Sequence, residues 1–98
     1  MTPFRELDPL LHSQLRLAIM SVLISVDSAD FTYLREKTEA TAGNLSVQIG
    51  KLRDAGYISV SKSFGESYPQ TLCRITGLGR KKFGEYVAAL GDYLGSKV

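Results

Sequence analysis

The sequence contains a single cysteine, Cys73, and a single histidine, His12. One cysteine excludes an internal disulfide framework and is typical of a protein from a reducing compartment. One histidine excludes a histidine cluster that could hold a metal ion or serve a catalytic relay. Cys73 stands on a predicted strand beside Thr71 and Ile75, so we expect a buried thiol. The alternative, a redox sensor, requires an accessible and activated thiolate.

Long apolar runs and a strong net charge are also missing. The N-terminal residues lack the apolar core of a signal peptide, and no stretch approaches the ~18–20 apolar residues that span a bilayer. We therefore expect a cytoplasmic protein with no membrane partner. The formal net charge of +2 identifies no partner by itself, so only the placement of the charges can indicate one.

The motifs of common enzymes and nucleotide-binding proteins are absent as well. Gly77-x-Gly79-Arg80 superficially resembles a phosphate loop but lacks the GxxxxGK[ST] spacing. Glu36 and Glu39 alternate with cations, as on an ordinary solvated helix face. The sequence therefore predicts a protein that is not an enzyme, with no catalytic residue, no metal site and no cofactor.

At its centre the chain contains an amphipathic helix with clear ends, predicted over residues 41–55. Thr41 can cap the first turn of this helix, and Gly56 can adopt the left-handed conformation that stops it. Apolar residues at i, i+4 and i+7 predict its buried stripe: Leu45, Ile49 and Leu52.

The opposite face of the central helix carries two glycines, Gly43 and Gly50. Each costs roughly 0.8–1 kcal/mol of helix propensity relative to alanine, so an ordinary solvent-exposed face would use other residues. Small residues are useful where another body, such as the wall of a DNA groove, must approach closely. The alternative that stays open is tight packing against a neighbouring protein element.

Residue patterns divide the rest of the chain into elements of a single domain over residues 1–98. In chain order we predict an N-terminal arm (1–8), a helix from Asp8-Pro9 to about Val26, a polar turn (25–30), Phe31 on a very short strand, and a helix over 32–38. After the central helix we predict a β-hairpin with strands at 57–62 and 70–75 and a loop at 63–69, and then a helix over 77–95 capped by Thr76.

The first and last helices carry more apolar surface than a helix on a monomer needs. The first has a second apolar face, and the last repeats apolar residues at the spacing of helix-on-helix packing. These faces must meet either each other or a second subunit, and we predict a homodimer. The predicted interface residues are Leu10, Leu17, Met20, Ile24, Phe83, Val87, Leu90 and Leu94.

The order of these elements is that of an α+β winged helix-turn-helix domain with a two-stranded β-hairpin wing and a long C-terminal dimerisation helix. Three fragments resemble the small bacterial and archaeal MarR/ArsR-like winged-helix transcriptional regulators: Asp30-Phe31-x-x-Leu34, Thr41-x-Gly43-Asn44-Leu45-Ser46 and Lys51-Leu52-x-x-Ala55-Gly56-Tyr57-Ile58. The resemblance continues through Pro69-x-Thr71 and Ile75-Thr76-x-x-Gly79-Arg80, and it covers residues 7–94.

This resemblance implies a sequence-specific DNA-binding transcriptional regulator, a dimeric repressor that places helix 41–55 in the major groove of double-stranded DNA. The hairpin, including Lys62 and the loop to Gln70, would be the wing. Carried over by position, the DNA-binding residues are Thr41, Gly43, Asn44, Ser46, Val47, Lys51, Lys62 and Gln70. A small-molecule effector stays open, and the sequence does not identify one.

The chain departs from the resembled pattern in its cations. The positions of Val47, Gly50 and Gln70, and some of residues 66–68, often carry basic side chains in relatives, whereas here they do not. Because cations that meet phosphates supply most non-specific DNA affinity, a modest affinity is expected. The alternative function is therefore a winged-helix protein–protein interaction module with weak or lost DNA binding.

Overall fold

The computed structural model of the chain describes residues 4–64 and 69–95. Within them the chain forms four helices and three strands: α1 (Gln14–Val26), β1 (Ser28–Asp30), α2 (Phe31–Thr38), α3 (Ala42–Asp54), β2 (Ile58–Phe64), β3 (Pro69–Ile75) and α4 (Gly77–Leu94). This order confirms the predicted α+β winged helix-turn-helix architecture. The predicted tip of the wing at residues 65–68 and the first three residues of the arm lie outside the described residues.

Side-chain caps fix the starts of three helices. The Thr41 hydroxyl accepts a hydrogen bond from the Asn44 N–H at 3.2 Å, and the Thr76 hydroxyl accepts one from Gly79 at 2.9 Å, both as predicted. Asp30, which was predicted to lie in a polar turn, caps α2 in the same way. Gly56 ends α3 in the left-handed region, with φ +82°. All three caps satisfy N–H groups that a helix leaves unpaired at its start.

The first helix begins later than predicted, at Gln14 instead of Pro9. Asp8 does act as a cap, but of an isolated turn: its carboxylate accepts from the Leu10 N–H and its carbonyl accepts from Leu11 and His12. The backbone then returns to an extended conformation at residue 13 before α1 starts. The turn places Leu11, which is fully buried, in the core.

The sheet has three strands in the order β1-β3-β2, all antiparallel. The predicted polar turn at 25–30 is therefore wrong in part, because Ser28–Asp30 pairs with β3, and Phe31 begins α2 instead of lying on a strand. Ala29 lies opposite Cys73, and Val60 lies opposite Cys73 from the other side. The short strand thus extends the inner face of the predicted hairpin by one buried alanine.

The core lies between this inner sheet face and the helices. Its fully or nearly buried members include the predicted stripe of α3 together with Ile19, Met20 and Leu23 of α1, Leu34 of α2, and Ile58, Cys73 and Ile75 of the sheet. Met20 is 0% exposed within one chain, so the prediction that it lies at a subunit interface is wrong. The α1 helix is covered by its own chain over more of its circumference than an amphipathic pattern alone indicates.

Gly79 marks the closest contact between α4 and the sheet. A Cβ atom at this position would lie 2.0 Å from the carbonyl oxygen of Tyr57 and 2.9 Å from its carbonyl carbon. The same carbonyl accepts hydrogen bonds from the backbone and the hydroxyl of Thr76. Gly79, which belongs to the motif that superficially resembles a phosphate loop, therefore allows the backbone of α4 to pack directly against the backbone at Tyr57.

Helices that could cross a membrane are absent from the described residues, because none is both long enough and apolar enough.

Candidate nucleic-acid interface

The outer face of α3 is the candidate reading surface. The helix turns Leu45, Ile49 and Leu52 into the core, and the residues predicted to face DNA are exposed: Thr41, Gly43, Asn44, Ser46, Val47 and Lys51. Val47 is 55% exposed although it is apolar. This surface combines hydrogen-bonding groups with one apolar group, the two kinds of contact that base edges offer in a major groove.

Both glycines of α3 leave open space at the helix surface. A Cβ atom at Gly43 would meet no atom within 4 Å, and one at Gly50 would meet only Nη2 of Arg53, at 3.7 Å. Within the described residues, packing against the chain's own elements therefore does not account for either glycine. They are available to a body that approaches from outside.

A groove of about 230 Å³ separates α3 from the hairpin. Ser46, Gly50 and Arg53 line one wall, and Lys62 and Thr71, which face each other across the β2–β3 pair, line the other. The structure thus places the predicted wing residue Lys62 and the predicted helix residue Ser46 on the walls of one groove. Two exposed cations stand at the mouth of one groove, in the arrangement that a phosphate backbone between helix and wing would need.

Arg53 is absent from the set predicted from the sequence, although its spacing reveals it. Ser46, Gly50 and Arg53 follow the i, i+4, i+7 rule and must share one face of α3. The Arg53 guanidinium contacts the Asp54 carboxylate at 3.2 Å, and both side chains are more than half exposed. Such an exposed pair is worth little, so the guanidinium can exchange its partner for a phosphate.

Gln70 lies apart from this set. It pairs with Ser63 in the hairpin, one register position beyond the Lys62–Thr71 pair, and alternate residues of a strand point to opposite faces. The half-buried Gln70 is therefore on the outer face of the sheet, while Lys62 is on the inner face beside α3. The structure does not bring these two predicted wing residues together.

On its other flank, α3 is tied to the first helix through side chains. Arg16 of α1 donates from Nη1 to Oε1 of Gln48 and from Nε to the carbonyl of Leu10. Gln48 in turn donates from Nε2 to Oδ1 of Asn44 at 3.0 Å. Neither Arg16 nor Gln48 is in the predicted set, because sequence spacing does not reveal a contact between separate helices.

Two of the three cations at the start of α4 form ion pairs with acidic side chains outside this interface. Arg80 forms an ion pair with Asp27, and Lys82 lies 3.7 Å from Glu85 on the next turn of its own helix. Both ion pairs use the charges of these residues locally. On α3 and the hairpin wall of its groove, the exposed cations among the described residues are Lys51, Arg53 and Lys62.

The C-terminal half of α4 presents the predicted dimer surface. Val87 is 52% exposed and Leu94 is 73% exposed, and they line an open groove of about 520 Å³ together with Leu90 and Arg5. Of the other predicted residues, Leu10, Leu17, Ile24 and Phe83 are half-buried against the core of their own chain.

The N-terminal arm runs along this half of α4. Arg5 contacts the Asp92 carboxylate at 2.9 Å, and the Tyr93 hydroxyl donates to the Arg5 carbonyl at 2.7 Å. The rings of Phe4 and Tyr93 lie 5.2 Å apart. The Arg5 guanidinium holds the pKa of the Asp92 carboxyl below its usual value through hydrogen bonding. The arm thus borders the exposed apolar groove with a polar, hydrogen-bonded edge.

Cys73 and His12 are both engaged within the fold. Cys73 is fully buried, as predicted, and burial raises the pKa of its thiol to about 11, so the thiolate that a redox sensor needs is disfavoured. His12 forms a hydrogen bond through Nδ1 with the Tyr86 hydroxyl at 2.9 Å. Among the described residues, no three His, Cys, Asp or Glu side chains come together as metal ligands.

Comparisons with known proteins agree with this geometry. Residues 15–94 match the winged helix DNA-binding domain family. An uncharacterized protein of Methanocaldococcus jannaschii is 33% identical over 76 residues, which are 78% of this chain and 83% of that protein. A transcriptional regulator homologue from Pyrococcus horikoshii has a similar structure, with a TM-score of 0.82 and 26% identity over 88% of this chain and 85% of the other.

A more distant structure shares the fold alone. NadR, solved in complex with 4-hydroxyphenylacetate, is 18% identical and has a TM-score of 0.72 over 89% of this chain and 64% of its own. The family match extends from α1 to the end of α4 and includes the whole groove between α3 and the hairpin. The chain therefore belongs to the winged helix DNA-binding domain family, and its match over residues 15–94 supports a small winged helix-turn-helix, DNA-binding regulator.

Proposed function

We propose that the chain is a sequence-specific repressor that inserts α3 into the major groove and lays the hairpin along the adjacent phosphate backbone. The observation that carries this proposal is the groove in which Ser46, Gly50 and Arg53 of α3 face Lys62 of the hairpin. A duplex seated there would offer its base edges to the outer face of α3 and one phosphate strand to Arg53 and Lys62. Repression then requires only that the bound protein cover promoter DNA.

The contacts divide into two classes by their chemistry. Lys51, Arg53 and Lys62 can only donate to phosphates or to acceptor atoms of bases, and phosphate contacts set affinity without reading sequence. Asn44 and Ser46 carry shorter polar groups on the exposed helix face, where base edges come within reach. Val47 offers an apolar contact for a thymine methyl group. We therefore assign specificity to the first half of α3 and affinity to its second half and the wing.

Lys62→Ala tests the role of the wing. We expect weaker binding to every duplex by a similar factor, and a plot of log K against log salt that is flatter by about one unit for each protomer. Lys82→Ala is the matched control, because it removes the same charge from a residue paired with Glu85 on α4. Titration of both variants at several salt concentrations measures the two slopes. A changed sequence preference with an unchanged slope would show that Lys62 reads bases instead.

We further propose that two chains pair through the exposed apolar groove of α4. Leu90 lies between Val87 and Leu94 at helical spacing, so the three make one stripe. A two-fold interface would use the same stripe on both subunits. Pairing would hold two α3 helices at a fixed separation, as a regulator that reads two half-sites requires.

Leu94→Glu tests this pairing. Burying a leucine is worth roughly 1.5–3 kcal/mol, and a two-fold interface loses it twice, so the dimer should weaken by about 100-fold or more. Val26→Glu is the control, since Val26 is 41% exposed at the end of α1 and lies outside the stripe. Sedimentation equilibrium at micromolar concentration measures both. A wild-type chain that sediments only as a monomer would contradict the proposed dimer.

The second candidate function is recognition of a protein instead of DNA. Exposed Val47 and the acidic Asp54 on the outer face of α3 favour it, because apolar and negative groups suit a protein surface better than a phosphate backbone. The two functions separate by salt dependence, since only the release of counterions from DNA gives a steep negative slope.

A further inference from the structure

The hydrogen bonds that link α1 to α3 have only one possible direction. Arginine carries donors and no acceptor, so the side-chain atom of Gln48 that meets Arg16 must be the oxygen. The amide nitrogen of Gln48 then points along α3, and it can only donate to the oxygen of Asn44. The orientation of both amides therefore follows from the chemistry of Arg16.

Arg16 itself is held in place from the other side. Its Nε donates to the carbonyl of Leu10, in the turn that Asp8 caps, and its side chain is half-buried between this turn and α3. A guanidinium bound at two points has little freedom to rotate away from Gln48. The turn before α1 thus fixes the position of Arg16, which in turn orients Gln48 and Asn44.

We propose that Arg16 and Gln48 are positioning residues that hold the Asn44 amide with Nδ2 toward the DNA, so that Asn44 selects a base that presents acceptors. This inference rests on the proposed entry of α3 into the major groove. Asn44 is exposed, and its Oδ1 is occupied by Gln48, so the NH₂ group is the one it offers.

The base preference follows from the major-groove edges. Guanine presents N7 and O6 and thymine presents O4, all of them acceptors, whereas cytosine presents the donor N4–H₂. An outward NH₂ group of Asn44 therefore favours guanine or thymine over cytosine at one position of each half-site. An asparagine side chain that could turn freely would present either its NH₂ group or its oxygen, and so would bind an acceptor edge and a donor edge about equally well.

Gln48→Glu is the variant that reverses this preference. A carboxylate at position 48 still accepts from Arg16 but has nothing to donate, so the Asn44 amide must turn its Nδ2 inward and its oxygen toward the DNA. The preference should change from guanine or thymine toward cytosine, by about fivefold or more. The added negative charge lowers affinity for all sequences, and Lys82→Gln makes the same change in net charge at a residue that is paired with Glu85 outside the interface.

Selection of bound sites from a random duplex pool, with wild type and each variant, provides the measurement. Asn44→Ala first identifies the position, because the preference there should disappear. Arg16→Met, which frees Gln48 to turn, should bring the ratio of guanine or thymine to cytosine close to one, and it keeps the test decisive if Gln48→Glu does not fold.

The outcomes separate the positioning role from the proposed function. A reversed ratio in Gln48→Glu, with an unchanged ratio in Lys82→Gln, supports the positioning role. Bound duplexes with the same preference in wild type and in Gln48→Glu overturn this role and leave DNA recognition standing. A folded wild-type chain that retains no duplex overturns the proposed function and this inference with it.

Discussion

Gly79→Ala is expected to destabilise the chain by about 3 kcal/mol or more, the upper part of the range for overpacked cores. The new methyl group would lie 2.0 Å from the Tyr57 carbonyl oxygen, and the obstacle is backbone, which no side-chain rotation can move. Relief requires α4 to shift from the sheet and weakens the Thr76 hydrogen bonds to the same carbonyl. For a chain of this size the melting temperature should fall by roughly 12 °C or more.

Gly84→Ala is the matched control on the same helix. A Cβ atom there would meet nothing within 4 Å, so the substitution adds helix propensity without a clash. We expect stabilisation of about 0.8–1 kcal/mol. Urea and thermal unfolding at one fixed protein concentration measure both variants, since a dimer's melting temperature depends on concentration. A Gly79→Ala variant as stable as wild type would contradict the described packing of α4.

Elements with local signals could be predicted from the sequence. The α3 and α4 helices could be predicted because Thr41 and Thr76 are residues that cap helix starts well, and because Gly56 ends α3 in the left-handed region. The inner face of the hairpin followed from its alternation of residues, with Ile58 and Ile75 now opposite each other. In each case the residues that decide the structure are neighbours in the chain, so their pattern carries the information.

Features that depend on contacts between separate segments could not be predicted. Strand β1 has one apolar residue, Ala29, and forms because the edge of β3 offers it hydrogen-bonding partners. The turn at Asp8 has the same residues as a helix start, and the burial of Leu11 decides between them. The periodicity of α1 shows that Met20 lies on an apolar face, but it does not show whether that face is covered by the chain's own core or by a second subunit.

The candidate site also has one part that could be predicted from local sequence and another that depends on contacts between separate segments. Exposed residues of α3 followed from helical spacing, and the same spacing indicates Arg53. The approach of Lys62 to Arg53 across the groove, and the link from Arg16 to Asn44, depend on how α1, α3 and the sheet pack. Tertiary structure thus adds the meeting of Lys62 and Arg53 in one groove, and the two residues, Arg16 and Gln48, that orient Asn44.

Gly50→Arg is expected to raise non-specific DNA affinity and stability together. The site is open apart from Arg53 at 3.7 Å, so a long side chain fits and helix propensity improves by roughly 0.5–1 kcal/mol. A new cation beside the phosphate strand should steepen the salt slope by about one unit per protomer, which is about tenfold in affinity for each tenfold dilution of salt.

Gly50→Ala separates the two effects, because it gives the gain in helix propensity without the charge. It should match the stability of Gly50→Arg and keep the wild-type slope. If Gly50 instead packs against a protein partner, Gly50→Arg should bring no gain on DNA and should weaken the complex with that partner.

The salt dependence of wild-type binding shows whether α3 and the hairpin form a DNA interface. The measurement is the affinity of the folded chain for one duplex of arbitrary sequence at several salt concentrations. Phosphate neutralisation by Lys51, Arg53 and Lys62 predicts that log K falls linearly with log salt, with a slope of about −3 per protomer. A folded chain that does not bind the duplex, or binds it with an affinity independent of salt, would show that α3 and the hairpin do not form a DNA interface.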